Sequence, residues 1–315
     1  MTAAATATAT AGATKDVRVG GHTVEVSRPG KLLFPGDGFT KADLVDYYHR
    51  LAGRMLPHLP GRPLVSERHP DGIDGSGFLQ KDVPDHFPGW LARVELPKAD
   101  GTVTYALCED TASLLYLAGQ ACVTLHRWLS RADRPDHPDR LVFDLDPPGR
   151  GDDFGAVRRA AQRLHALLEE LQLPSLPMTT GSRGLHFVVP LLRREPFDEV
   201  RALAREVAEV LAERYADELT TAPRKRDRGG RLYLDVQRNA YGQTAVAPYA
   251  VRARPGAPVA APVDWEELDD PELTARRWTL TDADRLLDRD PWQGAPRGRS
   301  PAAARRRLAE LRNGS

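Results

Sequence analysis

Lysine is scarce in this chain. Of 44 basic residues six are Lys and the remaining 38 are Arg, with Ala, Gly and Pro abundant. That bias reflects GC-rich coding and carries no functional meaning. Net charge is also missing, because 44 acidic residues balance the basic ones. Any contact with nucleic acid must therefore be built from local patches, not from a global field. Cysteine is nearly absent. Cys108 and Cys122 form neither a C-x-x-C pair nor a disulfide framework, so a reducing cytosol is the expected compartment. No apolar run approaches the ~20 residues of a bilayer span. The opening stretch, Met1 to Thr14, is rich in Ala and Thr but has no basic segment. It is not a secretory signal and reads as a disordered tail. What remains is 41% apolar, enough for a core, in a 315-residue chain that suits one large or two ordinary domains.

Leu141-Val142-Phe143-Asp144-Leu145-Asp146-Pro147-Pro148 stands out. Strand-forming residues lead into two carboxylates one residue apart, and side chains at i and i+2 of a strand share a face. The two prolines end the strand. Buried acids need cations or donors, and hard oxygen ligands suit Mg²⁺ or Mn²⁺, the partners of nucleotide phosphates. Alone, the pattern also fits two turn-forming aspartates.

Around this strand the chain is legible in part. Val17 to Val26 alternates about Gly20-Gly21 as a hairpin. Thr40-Lys41-Ala42-Asp43 is a capping-box pattern with Asp at the third position. A helix follows, with Leu44, Tyr48, Leu51 and Met55 on one stripe. Gly77-Phe78 closes a Gly/Asp-rich loop. Its ring is either an exposed stacking group or a core anchor. Asp110 to Leu129 reads as one helix, with Leu114, Ala118, Cys122, Leu125 and Leu129 inward and His126 beside them. Asp152 or Asp153 can cap a helix carrying Phe154, Val157, Ala161, Leu164, Leu168 and Leu171 at alternating three- and four-residue spacing. Thr180-Gly181-Ser182-Arg183-Gly184-Leu185-His186 combines flexible backbone, hydroxyls and cationic donors, a possible phosphate cradle without P-loop spacing. A second long helix spans about Phe197 to Tyr215. Arg231 to Asn239 reads as a strand with Asp235 on the face opposite Leu232 and Leu234. Lys98-Ala99-Asp100-Gly101 spells a ligase-like K-x-D-G but reads as a hairpin turn. Arg297 to Ser315, with six arginines and one acid, reads as a basic helix or tail.

Taken together, Phe143-Asp144-Leu145-Asp146-Pro147, the Thr180–His186 loop and Leu234-Asp235-Val236-Gln237-Arg238-Asn239 resemble the polymerase domain of bacterial DNA ligase D. That family belongs to the archaeo-eukaryotic primase superfamily of non-homologous end joining. Gly30-Lys31-Leu32-Leu33-Phe34-Pro35, Lys41, Phe78, His126-Arg127-Trp128 and Arg252-Ala253-Arg254-Pro255-Gly256-Ala257-Pro258 match as well. The likeness covers about Arg28 to Arg289. It implies two divalent metal ions, Mn²⁺ or Mg²⁺, on Asp144, Asp146 and Asp235. It implies a triphosphate held by Thr180, Ser182, Arg183, His186, Arg238, Arg252 and Arg254, with His126 near the incoming nucleotide. Lys31 and Lys41 would read a 5′-phosphate, and Phe78 would contact the template. The second motif departs from the family's usual S-G-G-K-G-x-H: Thr180 replaces serine, and Ser182-Arg183 replaces glycine-lysine.

The resemblance implies an α/β primase-polymerase fold: an N-terminal α/β layer on a catalytic sheet flanked by the 153–171 and 197–215 helices. The expected organisation is a disordered tail (1–15), a catalytic domain (16–292) and a basic C-terminal tail or helix (293–315). The expected activity is template-dependent filling of gaps at DNA double-strand breaks with preference for ribonucleotides. The chain would act as a stand-alone cytoplasmic, nucleoid-associated subunit working with Ku and a separate ligase. A primase-like replication enzyme, a D-x-D glycosyltransferase and a non-catalytic DNA-end scaffold are the alternatives.

Overall fold

The computed structural model describes residues 13–147 and 154–313. Most of the expected tail, and the Asp152/Asp153 cap, lie outside them. Thr14 and Lys15, counted with the tail above, begin the first strand. Two antiparallel hairpins open the fold: β1 (Thr14–Val19) with β2 (His22–Ser27), and β3 (Leu32–Phe34) with β4 (Phe39–Thr40). Gly20 and Gly21 both take positive φ in the first turn, a conformation that glycine adopts without steric cost. Helix α1 (Lys41–Met55) starts on the capping box, with the Thr40 side chain accepting from Asp43 N and the Asp43 carboxylate accepting from Thr40 N.

A mixed region follows, with β5 (Leu64–Arg68), β6 (Phe78–Gln80), β7 (Arg93–Lys98), β8 (Gly101–Ala106), α2 (Thr111–Gly119) and β9 (Cys122–Trp128). The K-x-D-G tetrapeptide is the β7–β8 turn. The single helix expected over 110–129 is instead α2, a left-handed residue at Ala121, and strand β9. Gly119 ends the helix, and the β-branched pair Val123-Thr124 favours a strand. Residues on both faces of β9 are buried, so its apolar run has no two-residue period and imitates a helix stripe.

The rest comprises β10 (Arg140–Asp146), α3 (Phe154–Glu170), β11 (Leu176–Thr179), β12 (Leu185–Pro190), α4 (Phe197–Arg214), β13 (Leu219–Thr220), β14 (Leu232–Asp235), β15 (Thr244–Val246), α5 (Ala283–Leu287) and α6 (Pro301–Asn313). The strand expected to reach Asn239 stops at Asp235. A 3₁₀ turn over Gln237–Asn239 follows.

Two sheets organise the molecule. One has the order β11-β12-β10-β14-β13; the other has the order β15-β9-β5-β8-β7, with β6 paired to β5. Alternation along β10 assigns its faces. Leu141, Phe143 and Leu145 join a core with Val157, Leu164, Val207 and Leu211 of α3 and α4. Val142 faces the opposite way, into a core shared with α1, α2 and the second sheet. Asp144 and Asp146 are in phase with Val142, so the D-x-D pair points into the space between the sheets. The segment after β15 bridges them: β15 pairs with β9, and Ala261 then exchanges hydrogen bonds with Thr179 at the end of β11.

Candidate active site

Register places the acids together. Asp144 lies directly opposite Asp235 on β14 and opposite His186 on β12. Cross-strand partners share a face with Cβ atoms roughly 4.5–5.5 Å apart, so the three form one row across the sheet with Asp146 two residues along. Asn239 secures the arrangement. Fully buried, it accepts from Val142 N at 2.8 Å and donates to Val142 O at 2.7 Å, clamping the third motif onto β10 where the strand pairing has stopped. Asn239 belongs to the third motif, but in the sequence only its place after a short strand hints at the clamp.

Asp144 is 4% exposed. Its Oδ2 accepts from Arg238 Nε at 2.8 Å and lies 3.4 Å from His186 Nε2. Burial opposes its charge, but the imidazole and guanidinium outweigh burial and hold its carboxyl well below the usual range. Asp146 goes the other way: burial and then the charge of Asp144 push its pKa up, against the pull of Arg183, His186 and Arg238. Asp235 Oδ1 accepts from Gln237 N at 2.8 Å and so caps its own turn. Among the described residues no three His, Cys, Asp or Glu side chains already converge as a metal cluster. The donor set nevertheless suits a hard cation, because the Asp144 charge helps push Asp146 toward its neutral form and a cation would relieve that repulsion.

These groups line a cleft of about 240 Å³, walled by His126, Asp144, Asp146, Thr180, Ser182, Arg183, His186, Arg238, Val246, Arg252 and Arg254. All eight candidate nucleotide-binding residues are therefore brought together with two of the three acids. Several are already engaged. Thr180 Oγ1 accepts from the backbone N–H groups of Ser182, Arg183 and Gly184 and donates to Gly184 O, so its hydroxyl shapes the loop. Arg183 reaches Pro147 O. Arg238 is committed to Asp144, because a buried carboxylate needs a counter-charge. Arg252 donates to Thr180 O at 2.6 Å. Two buried nitrogens of cleft residues, His186 Nδ1 and Arg252 Nε, have no hydrogen-bond partner among the described residues. Such atoms await an acceptor.

The loop glycines serve a purpose other than ligand approach. A Cβ on Gly184 would lie 1.9 Å from Leu145 O, and one on Gly181 would lie 2.8 Å from Val259 C and Arg252 Cγ. The close neighbours are the protein's own strand β10 and the arginine segment.

Lys31, Lys41 and Phe78 lie outside the cleft lining. Lys31 Nζ pairs with Asp71 at 2.7 Å. Lys41 is buried and donates to Ser27 O at 2.8 Å. Its pKa is lowered to about 8 by burial, then by the charges of Arg28, Lys31 and Arg68. Arg28 and Arg68 are members of this cationic cluster that sequence reasoning missed, because only the fold brings them beside Lys41. Phe78 opens edge strand β6, is 48% exposed and has the Arg68 guanidinium 5.5 Å from its ring centre. It is not a core anchor. A larger open cleft, about 730 Å³, lies at the other end of β10. Its arginines meet acids there: Arg193 pairs with Asp133, and Arg131 and Arg140 share Asp139 with the buried Arg62.

Residues 40–292 match the LigD primase-polymerase domain. The chain belongs to that family. It is 36% identical over 268 residues to the multifunctional non-homologous end joining protein LigD of Mycolicibacterium smegmatis, covering 84% of this chain and 34% of that protein. The corresponding protein of Mycobacterium bovis is 35% identical over 79% of this chain and 34% of its own length. The chain thus spans about a third of these relatives. Its fold is similar to the polymerase domain of Mycobacterium tuberculosis ligase D, solved in complex with DNA, with a TM-score of 0.78 and 34% identity over 84% of this chain and 93% of that one. The mixed α/β architecture expected from sequence is the primase-polymerase fold of this family. No described helix is long and apolar enough to cross a membrane.

Proposed function

We propose that this primase-polymerase chain is a template-dependent nucleotidyltransferase that fills gaps and extends 3′ ends at DNA double-strand breaks. One observation carries the reading: Asp144 and Asp146 line a cleft also walled by His126, His186, Arg252 and Arg254, with Asp235 opposite Asp144 in the sheet. Carboxylates beside phosphate-binding cations are what transfer of a nucleotidyl group demands, since that chemistry needs positioning and charge neutralisation more than covalent help. The acids would hold two divalent ions, Mn²⁺ or Mg²⁺, which supply neutralisation of the attacking 3′-oxygen and the departing pyrophosphate.

The chain's own residues do the rest. Arg252 and Arg254 bind triphosphate oxygens, to which guanidinium geometry is matched. His186 steadies Asp144. Arg238 orients Asp144, and the Thr180 hydroxyl fixes the loop carrying Ser182 and Arg183 against the substrate. His126 sits by the nucleotide. Ribonucleotides are preferred. Lys31 and Lys41, with Arg28 and Arg68, receive the 5′-phosphate of the downstream strand, while Phe78 stacks on the template. Ku and a DNA ligase activity are the partners, and the nucleoid is the working place.

The test is primer extension on a gapped duplex with Mn²⁺ or Mg²⁺, comparing ribo- and deoxynucleotides and 5′-phosphate with 5′-hydroxyl ends. Ribonucleotide addition, stimulated by the phosphate and lost in Asp144→Ala, is expected. No templated addition with either metal would overturn the reading. Lys41→Ala should reduce the response to the 5′-phosphate about tenfold or more, as for loss of a charge-assisted contact; equal loss on both ends would make it a general backbone contact.

A further inference from the structure

One carboxylate beside the cleft has no part in the reaction described above. Glu67 lies on β5, where register sets it opposite Thr124 and sets Val65 opposite His126. Glu67, Thr124 and His126 therefore share a face, with Glu67 and His126 as diagonal neighbours. The two carboxylate oxygens address two imidazoles: Oε2 is 3.9 Å from His126 Nε2 and Oε1 is 3.5 Å from His69 Nε2. Thr124 is fully buried, and its Oγ1 accepts from Ala253 N at 3.3 Å. Ala253 is the residue between Arg252 and Arg254. On the other side, the His69 ring is packed so closely under Gly77 that a Cβ there would lie 2.3 Å from it, and Gly77 immediately precedes Phe78.

A carboxylate at the border of a triphosphate site repels the substrate unless cations engage it. Glu67 is engaged. The flanking His126 imidazole comes first among the causes that push its pKa down to about 2, with Thr124 and His69 contributing against burial. In return the Glu67 charge favours the cationic forms of His126 and Arg252, which burial disfavours.

We propose that Glu67 is a positioning residue of the nucleotide site, orienting His126 and, through Thr124, the Arg252–Arg254 segment to receive the triphosphate. The inference rests on the polymerase reading for its substrate. Glu67 touches no reacting atom. Its loss weakens nucleotide capture while leaving the acidic row on β10 and β14 intact.

The experiment compares the full chain with Glu67→Ala, Glu67→Gln and a control on a distant exposed strand position, Glu95→Ala. Two readouts are taken: single-nucleotide extension kinetics and equilibrium binding of a fluorescent ATP analogue with Mn²⁺. For Glu67→Ala the expected result is a KM and Kd for nucleotide raised about tenfold, with kcat and Tm close to wild type, as for loss of one charge-assisted contact. Glu67→Gln, which keeps an oxygen beside Thr124 and His126, should recover part of the loss, and Glu95→Ala should change nothing. An unchanged nucleotide Kd in Glu67→Ala overturns the proposal. So does a fall in kcat at constant KM, or a loss that tracks a lowered Tm in both Glu67 variants. If the wild type binds the analogue but extends no primer, the polymerase reading fails by itself, and the binding comparison still judges Glu67.

Discussion

Asp146 is held where burial and the Asp144 charge both favour its neutral form. Its folded pKa lies above the unfolded value, so folding takes up a proton. Keeping the group ionised at neutral pH therefore costs stability, and that cost grows as pH rises above the ordinary carboxylate range. Asp146→Asn should raise the Tm of the metal-free protein at pH 7 and abolish extension, a stability gain at the expense of function. Mn²⁺ should raise the wild-type Tm and do little for the variant. Calorimetry in EDTA and in Mn²⁺ checks both, and a lower metal-free Tm in Asp146→Asn would contradict the electrostatic account. Gly184 sets the opposite kind of limit. With Leu145 O only 1.9 Å from the place of a Cβ, Gly184→Ala forces β12 away from β10, at about 3 kcal/mol for overpacking without relief. Urea unfolding should register that loss, and extension should fall with it because β10 carries both aspartates.

At the scale of elements, α6 shows what a basic stretch can become. Its arginines meet acids of α4: Arg305 bonds Glu199 through its side chain and backbone, and Arg312 lies 3.4 Å from Glu209. Leu308 is fully buried and Ala304 is 1% exposed, in the core shared with α3 and α4. Apolar burial is the larger contribution, since exposed ion pairs contribute little. Leu308→Ala should cost about 2–5 kcal/mol, whereas Arg305→Ala should cost under about 1 kcal/mol. Thermal melts of the two variants compare the contributions directly, and the reverse order would mean that charge docks the helix. The arginine count was plain in the sequence. Their partners were not, because α4 lies about a hundred residues earlier.

Across the whole molecule, the junction of the two sheets carries a buried ion pair. Arg62, just before β5, donates to Asp139, just before β10, at 2.7 Å, and both are buried. Burial opposes the Asp139 carboxylate, yet the Arg62 and Arg140 charges and hydrogen bonds from Arg62 and Arg131 hold its pKa at about 2. The folded value lies below the unfolded one. Its stabilisation is therefore complete above the ordinary carboxylate range and is lost as pH falls from about 4 through about 2. Asp139 should contribute on the order of 2 kcal/mol at neutral pH. Unfolding free energies measured from pH 7 to pH 2 should fall across that window. Asp139→Asn should be less stable at pH 7, with a flatter acid limb. A variant that keeps the wild-type acid slope would place the proton uptake elsewhere.

The sequence by itself determined whatever adjacent residues encode. The D-x-D phase on β10, the stripes of α3 and α4, the Thr40 cap and the β7–β8 turn all follow from periods and local hydrogen bonds over a few residues. The motifs that mark the family are local in the same sense. The tertiary structure decided which distant residues meet. That Asp235 stands opposite Asp144, that Arg238 is committed to a carboxylate, that Arg28 and Arg68 crowd Lys41, and that Glu67 reaches His126 are matters of register and packing. Strand β9 belongs with them. Buried on both faces, it had no alternation to read, and its β-branched pair became decisive only with β5 and β15 on either side. A strand's neighbours are chosen by the faces it must bury, and that choice is made between segments far apart in the chain.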